Sequence, residues 1–166
     1  MRVSVRSTIK EAISNAPAMY SRLILLVGSS GSGKTQVLRE ISEEYKQDVL
    51  NVNLAMAKIL MELPIQRRES RAQRIFYDVI KDFLNDKDPQ TAIILLDNLE
   101  ILFDKDLKLD PLILLQGVSR NLTMVASWNG SWINKRLTFA VSGHPEYRFY
   151  DKIDAQIIEL NGDDYL

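Results

Sequence analysis

The sequence predicts a three-layer α/β fold, a mainly parallel sheet of about five strands with helices on both faces. Three observations predict it. Short apolar runs alternate with longer segments of helical periodicity, the order expected of βαβ units. Two of those runs, 22–27 and 91–96, are apolar without alternation, as strands covered on both faces are. A Gly/Ser-rich stretch, 28–35, joins the first of them directly to an amphipathic segment.

The elements follow in order. Residues 7–15 read as a short helix, with Ser7 or Thr8 as N-cap and Glu11 behind it. Strand 22–27 leads through the glycine-rich stretch to a helix over 34–46, with Val37, Leu38, Ile41 and Tyr45 on its inner face. Residues 48–54 alternate and predict a second strand, and 55–63 a helix ending at Pro64. A long amphipathic helix over 66–84 turns Ile75, Phe76, Val79, Ile80 and Phe83 inward. Strand 91–96, helix 111–119, strands 121–127 and 137–141 and a last strand near 155–160 complete the expectation. All 166 residues fit one domain, with the helix at 7–15 ahead of its core and no helical lid behind it.

Composition removes several chemistries. There is no cysteine, so disulfides, thiolate metal sites and thiol nucleophiles are excluded. The single histidine, His144, leaves little room for a histidine metal site or a serine triad and is read as part of a loop turn at His144-Pro145. No apolar run approaches the ~20 residues that span a bilayer, and no secretory leader is expected. A cytoplasmic location is expected. The net charge of −1 argues against a globally basic nucleic-acid binder. It hides an asymmetry: residues 1–85 hold 13 Lys/Arg and 9 Asp/Glu, whereas 86–166 hold 8 and 13. Complementary halves of that kind suit head-to-tail stacking into rings or filaments.

Gly28-Ser29-Ser30-Gly31-Ser32-Gly33-Lys34-Thr35 matches G-x-x-x-x-G-K-[ST] in full, between strand and helix as the phosphate-binding loop requires. The glycines reach backbone torsions closed to other residues and bring N–H groups close to phosphate oxygens. Those groups form an anion nest at a helix N-terminus, where the dipole favours negative charge. Lys34 is placed to reach the β- and γ-phosphates, and Gln36 extends the nucleotide-binding segment. The Thr35 hydroxyl suits Mg²⁺, which takes few protein ligands and keeps water. ATP and Mg²⁺ are therefore the expected cofactors, and a P-loop NTPase core the expected fold.

A second metal-side group is needed. Ile93-Ile-Leu-Leu96-Asp97 supplies it, an apolar strand ending in a carboxylate. Facing a metal-bound nucleotide, Asp97 has a partner that an inward carboxylate would lack; capping a following helix is the competing reading. The residue after Asp97 is Asn98, where many such ATPases carry a water-activating Glu, and Glu100 comes two later. Glu100 reaches the site only if the chain turns sharply after Asp97; otherwise it is a first-turn helix residue. Slow hydrolysis by the isolated chain, completed by Glu100 or a partner, is the expectation.

The order of these motifs resembles the additional-strand class of P-loop ATPases, the broad group that includes AAA+ and RecA-like proteins. In that class a strand bearing a polar sensor residue inserts between the P-loop strand and the Asp-bearing strand. The resemblance implies that Asn129 is the sensor, against its reading as a turn residue in Trp128-Asn129-Gly130. It also implies that Arg136, expected at the end of a short helix before a strand, projects into a neighbouring subunit's site, against its reading as a surface arginine. Arg120 is the other candidate for that service. Such a finger is worth ~10³–10⁵ in rate.

A closer resemblance rests on Leu96-Asp-Asn-Leu-Glu-Ile-Leu-Phe-Asp104, Leu109-Asp-Pro-Leu-Ile-Leu-Leu-Gln-Gly-Val-Ser-Arg-Asn121, Val125-Ala-Ser-Trp-Asn-Gly130 and Gly143-His-Pro-Glu-Tyr-Arg148. Together these resemble the BrxF family, the small P-loop proteins of type 3 bacteriophage-exclusion (BREX) systems. That resemblance covers nearly the whole chain. It implies a bacterial antiphage component that works as an oligomer or with other phage-exclusion proteins, such as a large ATPase.

Other features have plainer readings. Arg67, Arg71 and Arg74 share a helix face at i, i+4 and i+7, beside Arg68. A solvated face is favoured over a stripe meeting DNA phosphates. Tyr20, Trp128 and Trp132 invite a base-stacking reading, but a Trp near a strand end is read as packing, and 104–110 as a solvated loop. Two functional alternatives stay open: a small-molecule kinase in which 67–74 imitates an arginine lid, and an assembly module that binds ATP with little turnover. A GTPase is disfavoured, because Asn134-Lys-Arg-Leu137 lacks the Asp of the guanine-reading motif.

Overall fold

The computed structural model describes residues 2–140 and 147–160, the first few by backbone only. The elements run α1 (Arg2–Asn15), β1 (Leu23–Gly28), α2 (Lys34–Tyr45), β2 (Val49–Asn51), α3 (Val52–Met61), α4 (Ile65–Leu84), β3 (Ile93–Asp97), α5 (Pro111–Val118), β4 (Thr123–Ile133), β5 (Arg136–Phe139), β6 (Arg148–Tyr150) and β7 (Gln156–Glu159). Single-turn 3₁₀ segments lie at Ala16–Ala18, Glu100–Phe103 and Lys105–Leu107.

Five strands form a parallel sheet in the order β2-β3-β4-β1-β7. β4 lies between β1 and β3, as the additional-strand resemblance implied. Alternate residues of β1 divide the core. Leu23, Leu25 and Val27 pack with Met56, Phe76, Leu96, Leu115 and Met124 under α3, α4 and α5. Ile24 and Leu26 pack with Ile9, Leu38, Ile41, Leu95 and Val125 under α1 and α2. The three-layer architecture is thus as expected, and among the described residues no helix follows α5.

Three local expectations are corrected. The second strand stops at Asn51, and Val52–Leu54 begin α3. Asn51 accepts from the Leu54 N–H at 3.0 Å, so a side-chain cap wins over alternation that would have continued the strand. The first helix extends to Arg2.

The largest correction concerns 130–139. Strand β4 does not end near Ser127; it runs to Ile133, turns through Asn134 and Lys135, and returns as β5, antiparallel. Both turn residues have positive φ (52° and 61°), the torsions a two-residue hairpin turn demands. Arg136 therefore begins a strand, where a helix end was expected. The strand expected at 137–141 is this antiparallel β5, which β6 extends to a three-stranded sheet. Gly130 permits the close return. A Cβ there would overlap the Thr138 carbonyl.

Candidate nucleotide site

The carboxyl ends of β1, β3 and β4 converge on one cleft of about 380 Å³, lined among others by Gly31, Lys34, Thr35, Asp97, Glu100 and Asn129. Strand register does the positioning: Gly28 pairs with Asn129 across β1–β4, and Asn51 with Asp97 across β2–β3. The loop 28–35 wraps the start of α2, with positive φ at Gly31 (83°) and Gly33 (99°). Gly28 is also packed so closely against Ser32 and the Leu160 carbonyl that a Cβ would collide with both.

Lys34 is buried, and its Nζ donates to the carbonyls of Gly28 (2.8 Å) and Ser29 (2.6 Å) and to Ser32 Oγ (3.2 Å). Burial lowers its pKa, opposed by the negative charges of Asp97 and Glu100. The ammonium is thus held inside the loop with no carboxylate of the described residues in contact, a charge that an incoming phosphate would satisfy. Ser29, Ser30, Ser32 and Gln36 belong to the same segment, and Ser30 and Gln36 line the cleft.

Thr35 Oγ1 donates to Asp97 Oδ2 at 2.8 Å. The other Asp97 oxygen accepts from Ser127 Oγ (2.6 Å) and from the Asn98 N–H (3.0 Å). The chain does turn sharply after Asp97: Asn98 has φ 56°, and a 3₁₀ turn starts at Glu100. That turn swings Glu100 into the cleft. Its Oε1 accepts from Asn129 Nδ2 at 2.6 Å and its Oε2 from Asn53 Nδ2 at 2.8 Å. Asn53 is fixed in turn by accepting the Ile101 N–H at 2.7 Å and by its own N–H donating to the Asn98 carbonyl at 2.9 Å.

Sequence reasoning singled out Asp97, Glu100 and Asn129, and the structure brings them together. It missed Ser127 and Asn53. Ser127 interrupts the apolar run of β4 two residues before Asn129, a readable signal, whereas Asn53 lay inside the alternation that predicted a strand over 48–54. Arg136 lies elsewhere, on the hairpin, with its guanidinium 5.6 Å from the Phe149 ring centre. Arg120 sits over Tyr20 at 5.0 Å. Arg67, Arg71 and Arg74 lie on α4 and none lines the cleft, where Arg39 is the arginine present. Arg74 is paired with Asp78 at 3.2 Å. Trp128 is packed in the core, as expected, and Tyr20 is exposed beneath Arg120. His144 and the 143–146 part of the Gly-His-Pro-Glu block lie outside the described residues. No helix among the described residues is long and apolar enough to cross a membrane.

Residues 24–118, strand β1 through α5, match the family model for AAA, the ATPase family associated with various cellular activities. The chain belongs to the AAA ATPase family. The match takes in the glycine-rich loop, Asp97 and Glu100, residues that build this cleft. The fold is similar to that of PCH-2 from C. elegans, at TM-score 0.51 and 16% identity over 96% of this chain and 42% of that one. Lesser similarities are to a DNA replication initiation factor (TM-score 0.42, 16% identity, 93% of this chain and 44% of that one) and to AMPPCP-bound DnaA from Aquifex aeolicus (0.36, 18%, 72% and 36%). The chain thus spans less than half the length of the solved structures it resembles. A comparison with curated protein sequences finds no match.

Proposed function

We propose that this AAA ATPase binds ATP·Mg²⁺ at 28–36 and hydrolyses it slowly by itself, acting in an oligomer or with partner proteins as a cytoplasmic component of a bacterial phage-exclusion system. The observation that carries the catalytic part is the Asn53–Glu100–Asn129 cluster, a carboxylate held at the mouth of the phosphate loop with both oxygens engaged. The defence role is supported by the sequence blocks around Asp97, Pro111 and Trp128.

The residues present fit Mg²⁺. Thr35 Oγ1 and Asp97 Oδ2 offer two adjacent oxygen donors, and this ion completes its shell with phosphate and water. When bound, it neutralises charge on the β- and γ-phosphates. The loop N–H groups and Lys34 hold those phosphates. Ser127 and the Asn98 N–H fix the Asp97 carboxylate so that only Oδ2 faces Thr35. Glu100 takes a proton from the attacking water, and Asn129 positions that water or the γ-phosphate beside it. In the described arrangement two amides occupy the oxygens of Glu100, so full activity requires a rearrangement that frees one. A neighbouring protein supplies that change, and Arg120 or Arg136 of an adjacent copy supplies positive charge in trans.

Single-turnover hydrolysis of radiolabelled ATP tests the reading. Glu100→Gln should lower the rate about 10²-fold or more while leaving ATP binding within a few-fold. Brisk turnover by isolated wild-type chain, unchanged in Glu100→Gln, would remove Glu100 from the chemistry. The same two-amide clamp favours one alternative, a nucleotide-gated assembly module with negligible turnover. Light scattering with and without ATP·Mg²⁺, run beside the turnover assay, separates the two.

A further inference from the structure

The hairpin that replaced the expected helix has two faces. Inward, Trp128, Phe139 and Tyr150 join Phe103 in an aromatic cluster, with Phe103 and Phe139 stacked at 3.5 Å and Trp128 edge-on to Phe103 at 5.0 Å. That face satisfies the sheet's need for a core. The outward face carries Ser131 and Ile133 on β4, Arg136 and Thr138 on β5, and Tyr147 and Phe149 along β6, around a shallow groove of about 320 Å³.

Three large apolar residues thus face solvent together: Ile133 is 62% exposed, Phe149 51% and Tyr147 36%. Grouped exposure of this kind on a sheet already backed by a core marks a contact surface. Its charge says what kind. The groove is lined by Arg136 and by no acidic side chain, with Lys135 in the adjoining turn, while Arg148 alternates to the other face and Asp151 follows the end of β6. None of the ion pairs among the described residues engages Lys135 or Arg136. Arg136 lies over the Phe149 ring, so cation and aromatic plane are already side by side.

We infer that this face is a binding platform for single-stranded nucleic acid. Phe149 and Tyr147 supply planes for base stacking, and Lys135 and Arg136 meet phosphates. The two rings are two strand residues apart, roughly 7 Å, a spacing that one stretched nucleotide bridges. Stacking on exposed aromatics flanked by basic side chains is sequence-tolerant and salt-dependent. A duplex keeps its bases paired and offers no face to these rings. The platform is continuous with the nucleotide cleft: β4 carries Asn129 just before Gly130, and the Ala140 N–H donates to the Asn129 carbonyl at 3.3 Å.

Fluorescence anisotropy on the full chain, with labelled dT₁₂, rU₁₂ and a 12-base-pair duplex at low and moderate salt, tests this. Binding of either single strand in preference to the duplex is expected, and the two arms tell which sugar is favoured. Phe149→Ala should weaken single-strand binding about 5- to 100-fold. Lys135→Glu should weaken it and flatten the salt dependence. Both side chains are exposed, so a thermal melt within a few degrees of wild type shows that the fold is intact, and their ATP binding should stay unchanged. Three results overturn the inference: no single-strand binding by wild type, equal binding of the duplex, or loss in Arg71→Glu with no effect of either hairpin substitution. None of them bears on Glu100, so failure here is separable from failure of the ATPase reading.

Discussion

Strand β4 passes through two environments within eleven residues, and they differ in what holds them. Its first half, 123–128, is buried between β1 and β3, with parallel neighbours on both sides and helices on both faces. Its second half, 130–133, has one antiparallel neighbour, an aromatic floor and an open upper face. The change occurs at Asn129, whose side chain contacts Glu100. The rigid half sets the height of Asn129 in the cleft, and the hairpin half is attached to it covalently. A site residue at such a boundary can be moved from outside the core without disturbing the core.

The comparison breaks most severely at Gly130. Gly130→Ala should cost about 3–4 kcal/mol, because the added Cβ meets backbone rather than a side chain that can swing aside. Thr138 cannot retreat freely, since its carbonyl accepts the Trp128 indole N–H at 2.9 Å. Chemical denaturation of the variant measures the loss; a change below about 1 kcal/mol would mean that the hairpin is not closed as described.

On the core side, Lys34→Ala should weaken binding of labelled ATP by at least about 100-fold, the scale of one charge-assisted phosphate contact. Stability should change by less than about 1 kcal/mol, because burial disfavours the ammonium that the substitution removes. Unchanged binding would remove the loop from nucleotide recognition.

The two halves were also unequally legible. The parallel core could be read because buried strands leave unbroken apolar runs, and because the loop 28–35 and the strand ending at Asp97 have fixed meanings. The position of β4 was implied by the resemblance to the additional-strand class, and the sheet order agrees with it. Glu100 was readable only as a condition, since the turn depends on Asn98 adopting φ 56°, a conformation asparagine tolerates but does not announce. Asn53 was hidden because alternation through 48–54 suggested a strand, while the Asn51 cap had already started a helix. The hairpin was obscured by its turn, Asn134-Lys135, which lacks the glycine that usually marks such loops. Helical and hairpin readings of a short polar break differ by less than the sequence there resolves, and the aromatic cluster decided between them.

Asn53 ties the loop after β3 to α3, and its two contacts can be separated. Asn53→Ala should cost about 2 kcal/mol by leaving the Ile101 N–H and one Glu100 oxygen without their partner. Asn53→Asp keeps an acceptor for Ile101 but sets a second carboxylate against Glu100, so it should be the less stable of the two at neutral pH. Denaturation of both variants at neutral pH measures the gap. An Asp variant as stable as wild type at neutral pH would mean that Asn53 does not donate to Glu100.

The smallest effect is at the edge of the hairpin sheet. Tyr150 Oη donates to Asp110 Oδ1 at 3.1 Å, the same oxygen that caps α5 through the Ile113 N–H. Burial raises the Tyr150 pKa above its ordinary value, and the Asp110 charge adds to that. Folded protein therefore keeps this proton at a pH where the unfolded chain loses it, and stability falls as pH rises through about 10. Tyr150→Phe should cost about 1 kcal/mol near neutral pH and should lack this share of the alkaline loss. The gap to wild type should accordingly narrow between about pH 8 and pH 11. Tyr45, whose pKa burial also raises, keeps its own alkaline contribution in both proteins and so cancels from the difference. A gap that stays constant across that range would show that Tyr150 ionises as readily in the fold as out of it, and that the hairpin sheet is not pinned to α5 through Asp110.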